Sequence, residues 1–210
     1  MRKLFFRLVT ALTLTIPFTA QAVIVSSTDF AGSVGNEVSW NLTTDPTFVQ
    51  SATLTRGSGT TSALAAGAFS SSGFSIAGFE ASDYYSITLN PAVGKSFPLT
   101  EFTFDERRSS TGPKSWELRS SKDNFSLSLA SGIMPDDTLT RSHVIPFDPE
   151  IFTAEPLEFR LYGFGAESNT GTWRIDNLFI SVPEPSDYAM FAGLGLLSVA
   201  FARRRFRQAI

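Results

Sequence analysis

Near its C-terminus the chain reads Pro183-Glu184-Pro185, then fifteen residues without a charge from Tyr188 to Ala202, then Arg203, Arg204, Arg205 and Arg207. The two prolines fix φ and remove backbone donors, so this strip stays a rigid, extended spacer. As a helix the uncharged run is about 22 Å long, against roughly 30 Å of hydrocarbon in a bilayer. The arginines lengthen it by snorkelling to the headgroups, and as the only basic cluster beside the run they belong on the cytoplasmic side. The chemistry predicted for this end is membrane insertion: a short transmembrane anchor set off from the preceding chain by a rigid proline spacer.

The middle of the chain offers weaker candidates. His143 is the only histidine, and neither a Ser-His-Asp pattern nor HExxH surrounds it, so it reads as a structural or surface residue. Asp105, Glu106, Glu117, Asp136, Asp137, Asp148 and Glu150 supply carboxylates, but a glycosidase needs two held about 5–9 Å apart across a cleft. Asp136-Asp137 and Asp148-Pro149-Glu150 read as proline-flanked turns, and Asp105-Glu106 beside Arg107-Arg108 as a solvated turn. Asp29 with Asp176 and Asn177 is a weak calcium candidate, since the full calcium-loop motif is missing. No other cofactor is expected. Trp116 and Trp173 could stack on sugar rings if exposed, although alternation with apolar neighbours favours a core position.

The N-terminus carries its own processing signal. Arg2, Lys3 and Arg7 precede a twelve-residue apolar stretch, Leu8 to Thr19, and Ala20-Gln21-Ala22 is a small-x-small cleavage pattern. This predicts a signal peptide over 1–22, a mature start at Val23, and the Sec translocon and signal peptidase as partners. The stretch is too short for a spanning helix. There is no cysteine, which removes disulfides, thiolate metal sites and cysteine nucleophiles. By segment the charge is +3 over 1–22, −8 over 23–182 and +2 beyond. An acidic mature segment argues against nucleic acid as a partner.

Pro183-Glu184-Pro185, the short apolar helix and the terminal arginines, in that order behind a signal peptide, resemble the PEP-CTERM sorting signal. The resemblance covers about the last 28 residues. It implies an exported protein of a Gram-negative bacterium that makes extracellular polymeric material. It also implies handling at the inner membrane by an exosortase, a membrane-embedded cysteine protease or transpeptidase, with a cut at or near Pro183-Glu184-Pro185. The continuation Phe206, Gln208, Ala209 and Ile210 departs slightly from a bare basic stop.

Between these ends, apolar residues alternate with polar ones at period two. Val38, Trp40 and Leu42 are expected to share a face, as are Tyr85, Ile87 and Leu89; Phe102 and Phe104; Trp116 and Leu118; and Phe125, Leu127 and Leu129. Ile145 and Phe147, Leu157, Phe159 and Leu161, and Trp173, Ile175, Asn177 and Phe179 continue the pattern, with turn residues between the runs. Thr53 to Ser75, rich in Ser, Thr, Gly and Ala, reads as loops or edge strands. This predicts one all-β domain, a β-sandwich or jelly roll over 23–182, between the signal peptide and the short C-terminal helix. The segments "FTFDERRSSTGPKSWELRSSKDNFSLSL" and "FRLYGFGAESNTGTWRIDNLFIS" resemble jelly-roll ectodomains found on PEP-CTERM proteins. "GTWRIDNLFIS" is also similar to the closing strand of bacterial carbohydrate-binding modules. The expected function is that of an exported, non-enzymatic surface or matrix protein associated with exopolysaccharide or biofilm. A carbohydrate-binding module is the alternative, discriminated by the exposure of Trp116 or Trp173, and a glycoside hydrolase is third.

Overall fold

Alternation at period two lets one side of a strand be buried while its Ser, Thr and charged residues stay wet. The computed structural model describes residues 22–183. The signal-peptide residues 1–21 with Ala20, the motif residues Glu184 and Pro185, the 188–202 helix, and Arg203, Arg204, Arg205 and Arg207 lie outside the described residues. The strands in chain order are β1 (Ala22–Thr28), β2 (Trp40–Asn41), β3 (Thr43–Thr44), β4 (Val49–Arg56), β5 (Thr61–Ser62), β6 (Phe69–Ser72) and β7 (Tyr84–Pro91). After them come β8 (Phe97–Arg108), β9 (Ser115–Ser120), β10 (Ser128–Ile133), β11 (Arg141–Thr153), β12 (Leu157–Phe164) and β13 (Trp173–Pro183). A 3-10 turn occupies Ser121–Asp123.

They form two antiparallel sheets packed face to face as a β-sandwich. The seven-stranded sheet runs β11-β8-β13-β1-β3, with β6 on β13 and β5 on β6; the six-stranded sheet runs β10-β9-β12-β7-β4-β2. Aromatic pairs join them: Phe102 to Phe159 at 5.5 Å between ring centres, Phe104 to Trp116 at 5.2 Å and Tyr85 to Trp173 at 5.2 Å. The Tyr85 hydroxyl also donates to the Trp173 carbonyl at 2.6 Å. Each such buried ring contributes about 1.5–3 kcal/mol of apolar burial.

The alternation holds in β7, β9 and β12 and is overridden elsewhere. In β13 the register slips between Asp176 and Phe179, with Asn177 at φ 42°. Such a bulge re-aims every later side chain. Leu178, Ile180 and Val182 therefore face the core, and Asn177 and Phe179 do not. The "VSWNL" run, expected to share one face, is strand only at β2 in the six-stranded sheet, with Leu42 buried and Val38 exposed; the chain then crosses to β3 in the other sheet. In "FSLSL" the strand begins only at Ser128, so Leu127 is exposed and Phe125 lies against the outside of the six-stranded sheet. Thr53 to Arg56, expected as loop or edge, belongs to β4, with Ala52 and Leu54 buried. Asp105 to Arg108 is no solvated turn: it is the last part of β8, and Glu106 and Arg108 point inward.

Candidate functional site

The two tryptophans do not form a sugar platform. Trp173 is fully buried among Phe74 and Tyr85. Trp116 is 3% exposed and packs on Phe104 and His143. Both lie on the inward phase of their strands, so packing between the sheets takes the ring faces a ligand would need. His143 is also turned inward, its Nε2 3.5 Å from the buried Glu106 Oε1. Asp29 accepts from the Ala31 amide, Asp176 from the Asn177 amide, and the Asn177 side chain donates to Asp105 at 2.7 Å. Burial, with Asp105 and Asp29 nearby, pushes the Asp176 carboxyl above its usual range. Among the described residues no group of three or more His, Asp or Glu is placed to hold a metal ion.

The outer face of the six-stranded sheet has a different character. It carries the outward phase of four adjacent strands: half-buried Glu117 and Arg119 on β9 and Glu158 and Arg160 on β12, with Tyr162 buried against Phe79 and Tyr84, then Tyr84 to Asn90 in alternation on β7, and Ser51, Thr53 and Thr55 on β4. Arg160 stands directly opposite Arg119 across the ladder, an unfavourable like-charge pair unless each is neutralised. Each one is. The Arg119 Nε donates to Glu117 at 3.0 Å, and Arg160 donates to both oxygens of Glu158 at 2.7 and 3.4 Å.

Aromatic rings fix the same guanidinium groups from the side. Arg160 lies 3.8 Å from the centre of the Phe125 ring and 4.4 Å from that of Tyr84; Arg119 lies 4.5 Å from that of Phe79. Such stacking adds about 0.5–2 kcal/mol per pair and locks the rotamers. Arg119 also donates to the Phe125 carbonyl at 2.9 Å, drawing the left-handed turn at Asn124-Phe125 over the sheet. Burial works against charge on Arg160, yet its bonds to Glu158 leave the guanidinium above its ordinary value; burial pushes the Tyr162 phenol upward. Beyond this cluster the face continues in hydroxyls and amides. Ser86 donates to Glu158 at 2.7 Å, and Asn90 donates to Ser51 at 3.0 Å.

The result is a pre-organised, half-buried array of planar polar groups, edged by Phe79 and Phe125, with no net charge from its two arginines and two glutamates. Of the carboxylates weighed from sequence for a glycosidase pair, only Glu117 belongs to it. Arg119, Glu158, Arg160, Tyr84 and Tyr162 were missed. Their signal is visible in the chain as a doubled Glu-x-Arg on the wet phase of two strands, Glu117-Leu118-Arg119 and Glu158-Phe159-Arg160.

No family model and no curated protein matches this chain. Among solved structures, a variant of the CBM29-2 carbohydrate-binding module complexed with mannohexaose aligns with a TM-score of 0.44 and 16% identity, over 80% of this chain and 97% of its own. A second CBM29-2 variant, complexed with cellulohexaose, aligns at 0.43 and 16%, over 78% and 93%. A family 29 carbohydrate-binding module aligns at 0.42 and 16%, over 77% and 89%.

Proposed function

We propose that residues 23–182 form a non-catalytic glycan-binding domain of an exported protein. On this reading the C-terminal segment anchors the protein briefly, and an exosortase acting at Pro183-Glu184-Pro185 sorts it to the cell surface or matrix. One observation carries the binding role: the outer face of the six-stranded sheet holds Arg119, Arg160, Glu117 and Glu158 in fixed geometry beside aromatic rings. Polar planes of this kind match the neighbouring hydroxyls of a sugar, and rings accept its C–H face. The balanced charge favours a neutral polysaccharide. Glu117 and Glu158 are both engaged by arginines and serve to orient a ligand rather than to cleave it. The export and sorting role is supported by the order of signals along the chain.

Titration calorimetry of the full chain with mannohexaose, cellulohexaose and exopolysaccharide from the native source tests the binding role. Binding should fall about tenfold or more in Arg160→Ala and Tyr84→Ala while both variants stay folded. Unchanged affinity in both, or no binding by the wild type, rejects it. Intact mass of the protein from its native envelope tests sorting. A C-terminus near Pro183 to Ser186 supports it, and retention of Arg203 to Arg207 in the membrane fraction rejects it.

A further inference from the structure

The sandwich has an open side where the edge strands β10 and β11 run past one another. Two cavities of about 400 and 460 Å³ lie there, share Leu129 and Pro146, and so form one groove. Its Phe147 end is mainly apolar, with Leu129, Ile151 and Phe152, and its other end is mainly polar, with Ser131, Ser142 and His143. Leu127, Ile133, Val144 and Phe152, on or beside these two strands, are large apolar side chains left more than half exposed. The end lined by Phe147 carries Asp123, Asp148 and Glu150 against a single cation, Lys122.

The two walls differ. β11 is blunted as an edge by Pro146, Pro149 and the register break between Pro146 and Ile151, devices that prevent strand pairing. β10 contains no proline and, among the described residues, pairs with β9 on one side only; beyond its own register break between Ser128 and Ala130, its other edge offers a short row of backbone donors and acceptors beside the groove. We propose that this groove is a docking site for an extended, basic polypeptide segment that adds to the free edge of β10 as a further strand. Such a segment supplies each thing the groove lacks. Its backbone pairs with β10, its apolar side chains cover Leu129, Ile151 and Phe152, and its Lys or Arg side chains meet Asp123, Asp148 and Glu150. Charge selects this occupant over a second copy, because residues 23–182 carry a net −8 and an acidic groove repels an acidic partner. A polysaccharide has no row of amide donors for β10.

The test is fluorescence anisotropy of the full-length chain with a labelled alternating Lys-Val heptapeptide. Two control peptides accompany it, one with Glu in place of Lys and one methylated on its backbone nitrogens. The site predicts saturable binding of the Lys-Val peptide, about tenfold or more weaker for each control and for the exposed double variant Asp148→Lys/Glu150→Lys. Equal binding of the methylated peptide overturns strand addition, and an unaffected double variant overturns the charge assignment. Absence of binding overturns the site. So does sedimentation showing a wild-type dimer that Val144→Glu dissolves, or displacement of the peptide by the glycans bound on the outer sheet face.

Discussion

Ala22 and Pro183 are register partners at the end of the β1–β13 ladder, followed inward by Val23 with Val182 and Ile24 with Ser181. The two expected processing points, one near each end of the domain, thus come together at one corner of the seven-stranded sheet. Proteases take substrates as extended, unpaired chain, and here the Ala22–Val23 bond is already inside a sheet. On the proposed export route it is cut before β1 docks. Folded full-length precursor exposed to signal peptidase should remain intact, whereas the same precursor in urea should lose its leader. Equal cleavage rates would reject this order.

Gly132 on β10 is required by the indole beneath it. A Cβ there would stand 2.6 Å from Trp116 Nε1 and 2.7 Å from Cε2. Gly132→Ala therefore displaces Trp116 and should lower stability by about 1–3 kcal/mol. Urea denaturation measures the loss, and a shifted tryptophan emission in the folded state identifies its origin.

Adjacent arginines on β8 should respond very differently to removal. Arg107 faces solvent, and Arg107→Ala should change stability by no more than about 0.5 kcal/mol. Arg108 is buried and donates to the carbonyls of Ser109 at 3.0 Å and Met134 at 3.2 Å. Arg108→Ala leaves those oxygens unsatisfied and should cost about 2–4 kcal/mol. Chemical denaturation of the pair decides it, and equal effects would refute the inward placement.

Asp176 gives a pH signature. Its carboxyl is raised by burial and by Asp105 and Asp29, so the native state binds the proton more tightly than the unfolded chain does. Stability from this group is then lost as pH rises above the unfolded value, near 4, through the native one. Asp176→Asn keeps an oxygen for the Asn177 amide and removes the charge. The variant should melt a few degrees above wild type at pH 7 and together with it near pH 3. Melting curves at both values check the sign.

Much of this was legible in the residues themselves. Tyr85, Ile87 and Leu89, or Leu157, Phe159 and Leu161, alternate with polar residues because only one side of each strand is buried, and that local rule survives folding. The inward turn of Glu106 and Arg108 was not legible. A run of four charged residues, Asp105 to Arg108, looks like a wet turn until β11 and β13 pair on either side of it and hold it in a strand. Likewise the slip at Asn177 depends on β8 as a partner, and a single chain contains no register.

The sequence by itself determined the all-β class and the lack of cysteine, and it carries the motifs on which the proposed processing at the two ends rests, because composition, period-two alternation and short linear motifs are local properties. Only the tertiary structure decided that Trp116 and Trp173 are core, that the doubled Glu-x-Arg motifs of β9 and β12 lie side by side on one open face, and that β10 and β11 frame a groove. Those facts depend on which strands become neighbours, which the packing of both sheets settles together.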